Sequence, residues 1–97
     1  MFRHVVLFTF KPDTTPETTA AIIDALRTLP ALIPELKDYR VGLDAGVNDG
    51  NYEMAVTADF DDVEGYLAYR DNDEHQRMIV GLIRPAIAQR AAVQYEL

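Results

Sequence analysis

With 97 residues and no Cys, the chain has room for one core and no disulfide to brace it, since a domain this small buries only about 60 to 65% of the surface its unfolded chain exposes. Sixteen acidic against nine basic residues, a formal net charge of −7, argue against nucleic acid or an anionic membrane as partner. No apolar run approaches the roughly 18 residues of a membrane span and the opening lacks a cationic leader, so a cytoplasmic protein is expected, supported by self-association because no His and acidic residues stand at zinc spacing.

Phe2 to Phe10 is rich in β-branched and aromatic residues and reads as a strand, with His4, Val6, Phe8 and Phe10 on one face and Val5 and Leu7 on the other. Both faces are apolar. Lys11-Pro12-Asp13 ends it. Thr14-Thr15-Pro16-Glu17 then reads as a helix start, with a Thr cap, Pro in the first turn and Glu in capping-box register with Thr14. The helix runs to about Leu29 on the stripe Ile22, Ile23, Leu26 and Leu29, and Pro30 and Pro34 bracket its exit.

Leu36 to Leu43 is expected as a second strand, and Asp44 to Asn51 as a turn-rich connection. Tyr52 to Phe60 alternates cleanly, with Tyr52, Met54, Val56, Ala58 and Phe60 on one face. Asp61 and Asp62 supply a cap and first-turn charge for a helix carrying Val63, Tyr66 and Leu67, which Asp71-Asn72-Asp73 interrupts. In the next helical piece His75, Met78, Ile79, Leu82 and Ala86 share one stripe, so His75 should point inward. Pro85 should end or kink this helix, and Ala91 to Leu97 closes the chain as a strand.

The order β, α, β, β, broken α, β is that of an α+β, ferredoxin-like domain, a four-stranded antiparallel sheet with its helices on one face. The other face stays bare. Its apolar side chains, Val5 and Leu7 among them, make a patch too large for a stable monomer, so a homodimer built as a dimeric α+β barrel over a single domain of residues 1–97 is expected.

Three stretches resemble the stress-responsive dimeric α+β barrel (Dabb) family: Arg3-His4-Val5-Val6-Leu7-Phe8-Thr9-Phe10-Lys11, the exit Leu29-Pro30-Ala31-Leu32-Ile33-Pro34, and Tyr69-x-x-Asn72-x-x-His75, with Val93-Gln94-Tyr95 similar to the family's closing strand. The resemblance covers nearly the whole chain. It implies a homodimer with an apolar small-molecule pocket and no cofactor. In the family's olivetolic acid cyclase members, which close a polyketide by intramolecular aldol condensation, the resemblance places the catalytic His on His75, the catalytic Tyr on Tyr69 and a further pocket His on His4. Lining positions fall on Val6, Phe8, Leu26, Val56 and Met78. The chain departs from the pattern at Asn72, where the family has His, at Asp73, where it has Pro, at Gln94, where it has an acid, and at Leu26, where the cyclase has Tyr.

An aldol cyclisation needs a base for a proton flanked by carbonyls and a donor for the oxygen whose charge grows. His75 and Tyr69 suit those tasks, and His4 could orient His75 or a carbonyl. Each has a plainer alternative: a core-edge His bonded to a backbone carbonyl, aromatic packing at a helix end, and a strand His bonded to its neighbour. The competing functions are therefore a cofactor-free polyketide cyclase or lyase, a non-catalytic stress-response or ligand-binding dimer, and, further off, a cofactor-independent monooxygenase. Asp71 to His75 straddles a helix break and reads as a loop and cap; no metal is expected there.

Overall fold

The computed structural model describes residues Met1–Leu97, and β1 (Phe2–Phe10) lies inside its sheet. It is followed by α1 (Pro16–Leu26), α2 (Leu29–Leu32), β2 (Asp38–Leu43), β3 (Met54–Phe60), α3 (Val63–Asp71), α4 (Asp73–Met78), a π-helical turn (Ile79–Ile83), α5 (Arg84–Ala86) and β4 (Ile87–Glu96). The four strands are antiparallel in the order β2-β3-β1-β4. This is the ferredoxin-like arrangement, with the helices packed on one face.

Strict alternation sorts β1. Phe2, His4, Val6, Phe8 and Phe10 are buried against the helices, and the residues between them are half-buried on the outer face. From β3, Met54, Val56, Ala58 and Phe60 join the same inner layer, and Ile22, Ile23, Leu26, Leu29 and Ile33 close over it from the helical side. Burying side chains of this size contributes about 1.5 to 3 kcal/mol each, which makes this layer the principal source of stability.

Several elements begin or end elsewhere than the sequence pattern suggests. The cap of α1 is Thr15, whose hydroxyl accepts from Thr18 N at 3.1 Å, so the Thr14–Glu17 capping box does not form. Thr14 donates instead to the Ala86 carbonyl. In α3 the inward residues are Tyr66 and Tyr69, while Val63 and Leu67 face outward. Asp62 caps this helix as expected, accepting from Gly65 N at 2.9 Å.

The helical stripe after His75 also changes course. Pro85 has no N–H to give to the carbonyl four residues back, and just before it the chain widens into the π turn, where Arg84 N–H reaches the Ile79 carbonyl. The wider turn brings Ile83 into the core and leaves Leu82 38% exposed. The helix ends one residue after Pro85, and β4 starts four residues before the expected Ala91.

On the outer face Arg3 donates twice to the buried Asp59, Nε to Oδ1 and a terminal nitrogen to Oδ2, both at 2.7 Å, across adjacent strands. This bidentate partner holds the Asp59 carboxyl below the usual carboxylate range. A carboxyl depressed on folding adds stability above its unfolded pKa of about 3.9 and loses it as the pH falls through the folded value. Asp59→Asn should therefore be destabilised relative to the parent at pH 7, with the gap narrowing below about pH 4. Urea melts from pH 7 to 3 test this, and a gap that does not change with pH would refute the ion pair's role.

Candidate active-site cavity

Between the sheet and the helices lies a cavity of about 320 Å³. The sheet supplies His4, Val6 and Phe8 from β1, Tyr39 from β2, Val56 from β3 and Arg90 with Ile87 from β4. The helical wall supplies Leu26, Tyr66, Tyr69, Arg70, His75, Gln76, Ile79, Ile83 and Arg84. Seven of the eight residues singled out from the sequence therefore meet here: His75, Tyr69, His4, Val6, Phe8, Leu26 and Val56. Met78 does not. It is half-buried against the core, while Ile79 from the same stripe and Ile83, brought round by the π turn, line the cavity.

Asn72 explains how His75 is aimed. Its side chain caps α4, accepting from Glu74 N at 2.9 Å and His75 N at 3.3 Å, while its backbone N–H closes α3 on the Tyr69 carbonyl. One residue thus ends the helix of Tyr69 and starts the helix of His75. The two rings come to rest with centroids 4.1 Å apart, tilted by 35°.

Hydrogen bonds fix the tautomers of both histidines. His75 Nδ1 meets the Arg70 carbonyl at 3.2 Å; a carbonyl only accepts, so Nδ1 carries the proton and Nε2 is left as a base. His4 shows the opposite pattern. Gln94 Nε2 donates to His4 Nδ1 at 3.0 Å in the assigned amide orientation, so neutral His4 keeps its proton on Nε2 and is a donor. His4 is bonded to Gln94 and not to His75, so it does not orient the second ring.

Burial keeps both imidazoles neutral. It is the main cause of the low His4 pKa, pushed down to about 4, with the positive charge of Arg90 and the proximity of His75 adding to it. Burial also lowers His75, opposed by its bond to the Arg70 carbonyl. The Tyr69 phenol, 4% exposed, is pushed up to about 12 chiefly by burial, so it donates rather than ionises. Tyr39 is raised by burial and by its proximity to Tyr69. Its hydroxyl is shut from solvent yet lacks the geometry of a hydrogen bond to Tyr69 or any other group.

The sequence pattern does not bring out Tyr39, Arg70, Gln76, Arg84 or Arg90 as lining residues. Tyr39 is legible in principle, since it alternates with Val41 on the strand face that meets Ala58 and Val56. Nothing local marks Arg84 or Arg90, whose places depend on the π turn and on where β4 begins. No three His, Asp or Glu side chains gather anywhere as a metal-binding group, and no helix is long and apolar enough to cross a membrane.

The family described as "Stress responsive A/B Barrel Domain" matches residues 2–97. Among solved structures, a dimeric ferredoxin-like protein of unknown function from Thermobifida fusca is 44% identical, with a TM-score of 0.92 over 99% of this chain and 90% of that one. A dimeric protein of unknown function from Bacteroides fragilis is 27% identical, with a TM-score of 0.82 over 99% and 95%. The hydroxynitrile lyase of Passiflora edulis shares the fold at 20% identity, with a TM-score of 0.86 over 97% and 90%. No curated protein sequence matches the chain.

The two tautomers and low pKa values lead to a measurable outcome. A His whose pKa falls on folding binds its proton more readily in the unfolded chain, so stability declines as the pH drops from about 6.5 towards the folded value. Proton NMR of the ring resonances should place the His4 midpoint near 4 and that of His75 below the ordinary imidazole value. A His4 midpoint at or above about 6.5 would overturn the buried, neutral assignment.

Proposed function

The chain belongs to the stress responsive A/B barrel domain family, and from that membership we propose that it is a homodimeric, cofactor-free acid–base catalyst of carbon–carbon bond chemistry at a carbonyl, of the polyketide cyclase or lyase kind. The observation that carries this reading is the Tyr69–His75 pair, a neutral base beside a high-pKa donor in one apolar cavity.

His75 Nε2 takes the proton from a carbon between two carbonyls, and the electron pair moves into the enolate, whose oxygen the Tyr69 hydroxyl holds. The enolate carbon then attacks a second carbonyl carbon of the same molecule. The new alkoxide receives the proton that His75 took, and the enzyme returns to its starting state. His4 Nε2–H offers a second donor for a carbonyl oxygen from the sheet wall. The reverse direction breaks a carbon–carbon bond beside a hydroxyl by the same transfers, which is also what a hydroxynitrile lyase must do, and one shares this fold.

The homodimer rests on the outer sheet face. Val5, Leu7 and Ala55 are half-buried there, and Val93 and Tyr95, opposite Val5 and Arg3, are 57% and 43% exposed. A second copy covers this apolar surface without touching the cavity on the other face.

Two experiments test the reading. Incubated with a panel of linear polyketones and β-diketones, His75→Ala should lose about 10²- to 10⁴-fold in rate and Tyr69→Phe about 10²- to 10³-fold, with the acid limb of kcat/KM below about 6.5. Equal product from parent and variants would leave a ligand-binding dimer in its place. Sedimentation at micromolar concentration should give a dimer that Val93→Asp splits, and a monomeric parent would remove the basis of that assembly.

A further inference from the structure

Two arginines at the open side of the cavity have no carboxylate partner. Arg3, Lys37, Arg40, Arg70 and Arg77 are all ion-paired. Of the four basic residues without an ion pair, Lys11 and Arg27 do not line the cavity, whereas Arg84 and Arg90 do, although the chain has 16 acidic residues to 9 basic ones. Both line the cavity while remaining exposed, Arg84 from α5 in the helical wall and Arg90 from the inner face of β4, opposite Phe8. No Asp or Glu stands among the lining residues.

This is a local reversal of the chain's charge. A net charge of −7 repels anions at a distance, so two unpaired guanidinium groups lining an apolar chamber identify what that chamber holds better than the total does. The field of Arg90 reaches inward, since it contributes to the depression of His4. At the opposite edge of the sheet, β2 places the buried and unpartnered Tyr39 hydroxyl in the same cavity. A buried hydroxyl left without a partner is costly, and a ligand oxygen would satisfy it.

We propose that the cavity takes a small organic carboxylate. Arg84 and Arg90 hold the carboxylate at the β4 edge, the apolar body lies along Ile79, Ile83 and Ile87, and an oxygen at the far end accepts from Tyr39. Guanidinium groups suit this anion because their planar donors match its two oxygens. Placing the carbonyl within reach of His75 and Tyr69 rests on the catalytic reading above; the preference for negative charge does not.

The test uses hexanoate, hexanamide and hexyl phosphate as probes, titrated into the full chain and followed by amide and His ring resonances. Hexanoate should bind at least about tenfold tighter than hexanamide. Arg84→Gln/Arg90→Gln should erase that difference while leaving the hexanamide affinity unchanged, and should raise the His4 midpoint, because the Arg90 charge no longer opposes protonation of the ring. Tyr39→Phe should weaken 5-oxohexanoate but not hexanoate. Equal affinity for hexanoate and hexanamide, a preference that survives in the double variant, tighter binding of hexyl phosphate than of hexanoate, or no binding of any probe at millimolar concentration would each overturn the proposal. A His75→Ala protein as active as the parent, with the hexanoate preference intact, would instead remove the catalytic reading alone.

Discussion

Strand β1 is hydrogen-bonded along both edges, to β3 and to β4, so its side chains have no freedom beyond the alternation of the pleat. His4, Val6 and Phe8 enter the cavity wall because Val5 and Leu7 leave on the other side. A one-residue slip would send His4 out of the cavity and the outer residues into it. The density of apolar residues on the inner face makes that slip prohibitively costly. The same constraint that stabilises the sheet therefore delivers a polar ring to an otherwise apolar wall.

A bulge extends this control to β4. Thr9 pairs with Gln89 but Phe10 pairs with Ile87, so Ala88 is the extra residue. Arg90 and Ile87 differ in parity, and a regular strand would put them on opposite faces. The bulge lets both line the cavity. On the helical side the π turn before Pro85 has a comparable effect, bringing Ile83 and Arg84 to the cavity where a regular α-helix would have presented Leu82. Both irregularities sit at the same end of the site, and each is a local departure from periodicity that aims a side chain.

Gln94 changes the meaning of His4. An acidic residue at that position would accept a proton from the ring and favour its charged form. The amide nitrogen donates instead, and desolvation and Arg90 push the same way, so His4 stays neutral with its donor on Nε2. His75, anchored through Nδ1 to a backbone carbonyl, exposes an acceptor. One cavity thus holds two neutral imidazoles of opposite hydrogen-bonding sense, a division set by the partner of each Nδ1 atom.

The amino-acid sequence by itself determined the order of the elements, the inward face of β1 and β3 and the inward turn of His75, because each rests on a short-range period that burial reinforces. The family-like stretches are enough to mark Tyr69, His4 and His75 as candidates, and all three line the cavity. Tertiary structure decided which neighbours complete the site. Tyr39 and Gln94 reach it only through strand pairing, and Ile83 takes the place expected of Leu82 because the π turn before Pro85 shifts the helical phase. Arg84 joins it through the widened turn, Arg90 through its pairing opposite Phe8 and Ile87 through the bulge, and these departures and long-range pairings leave little trace in residue periodicity.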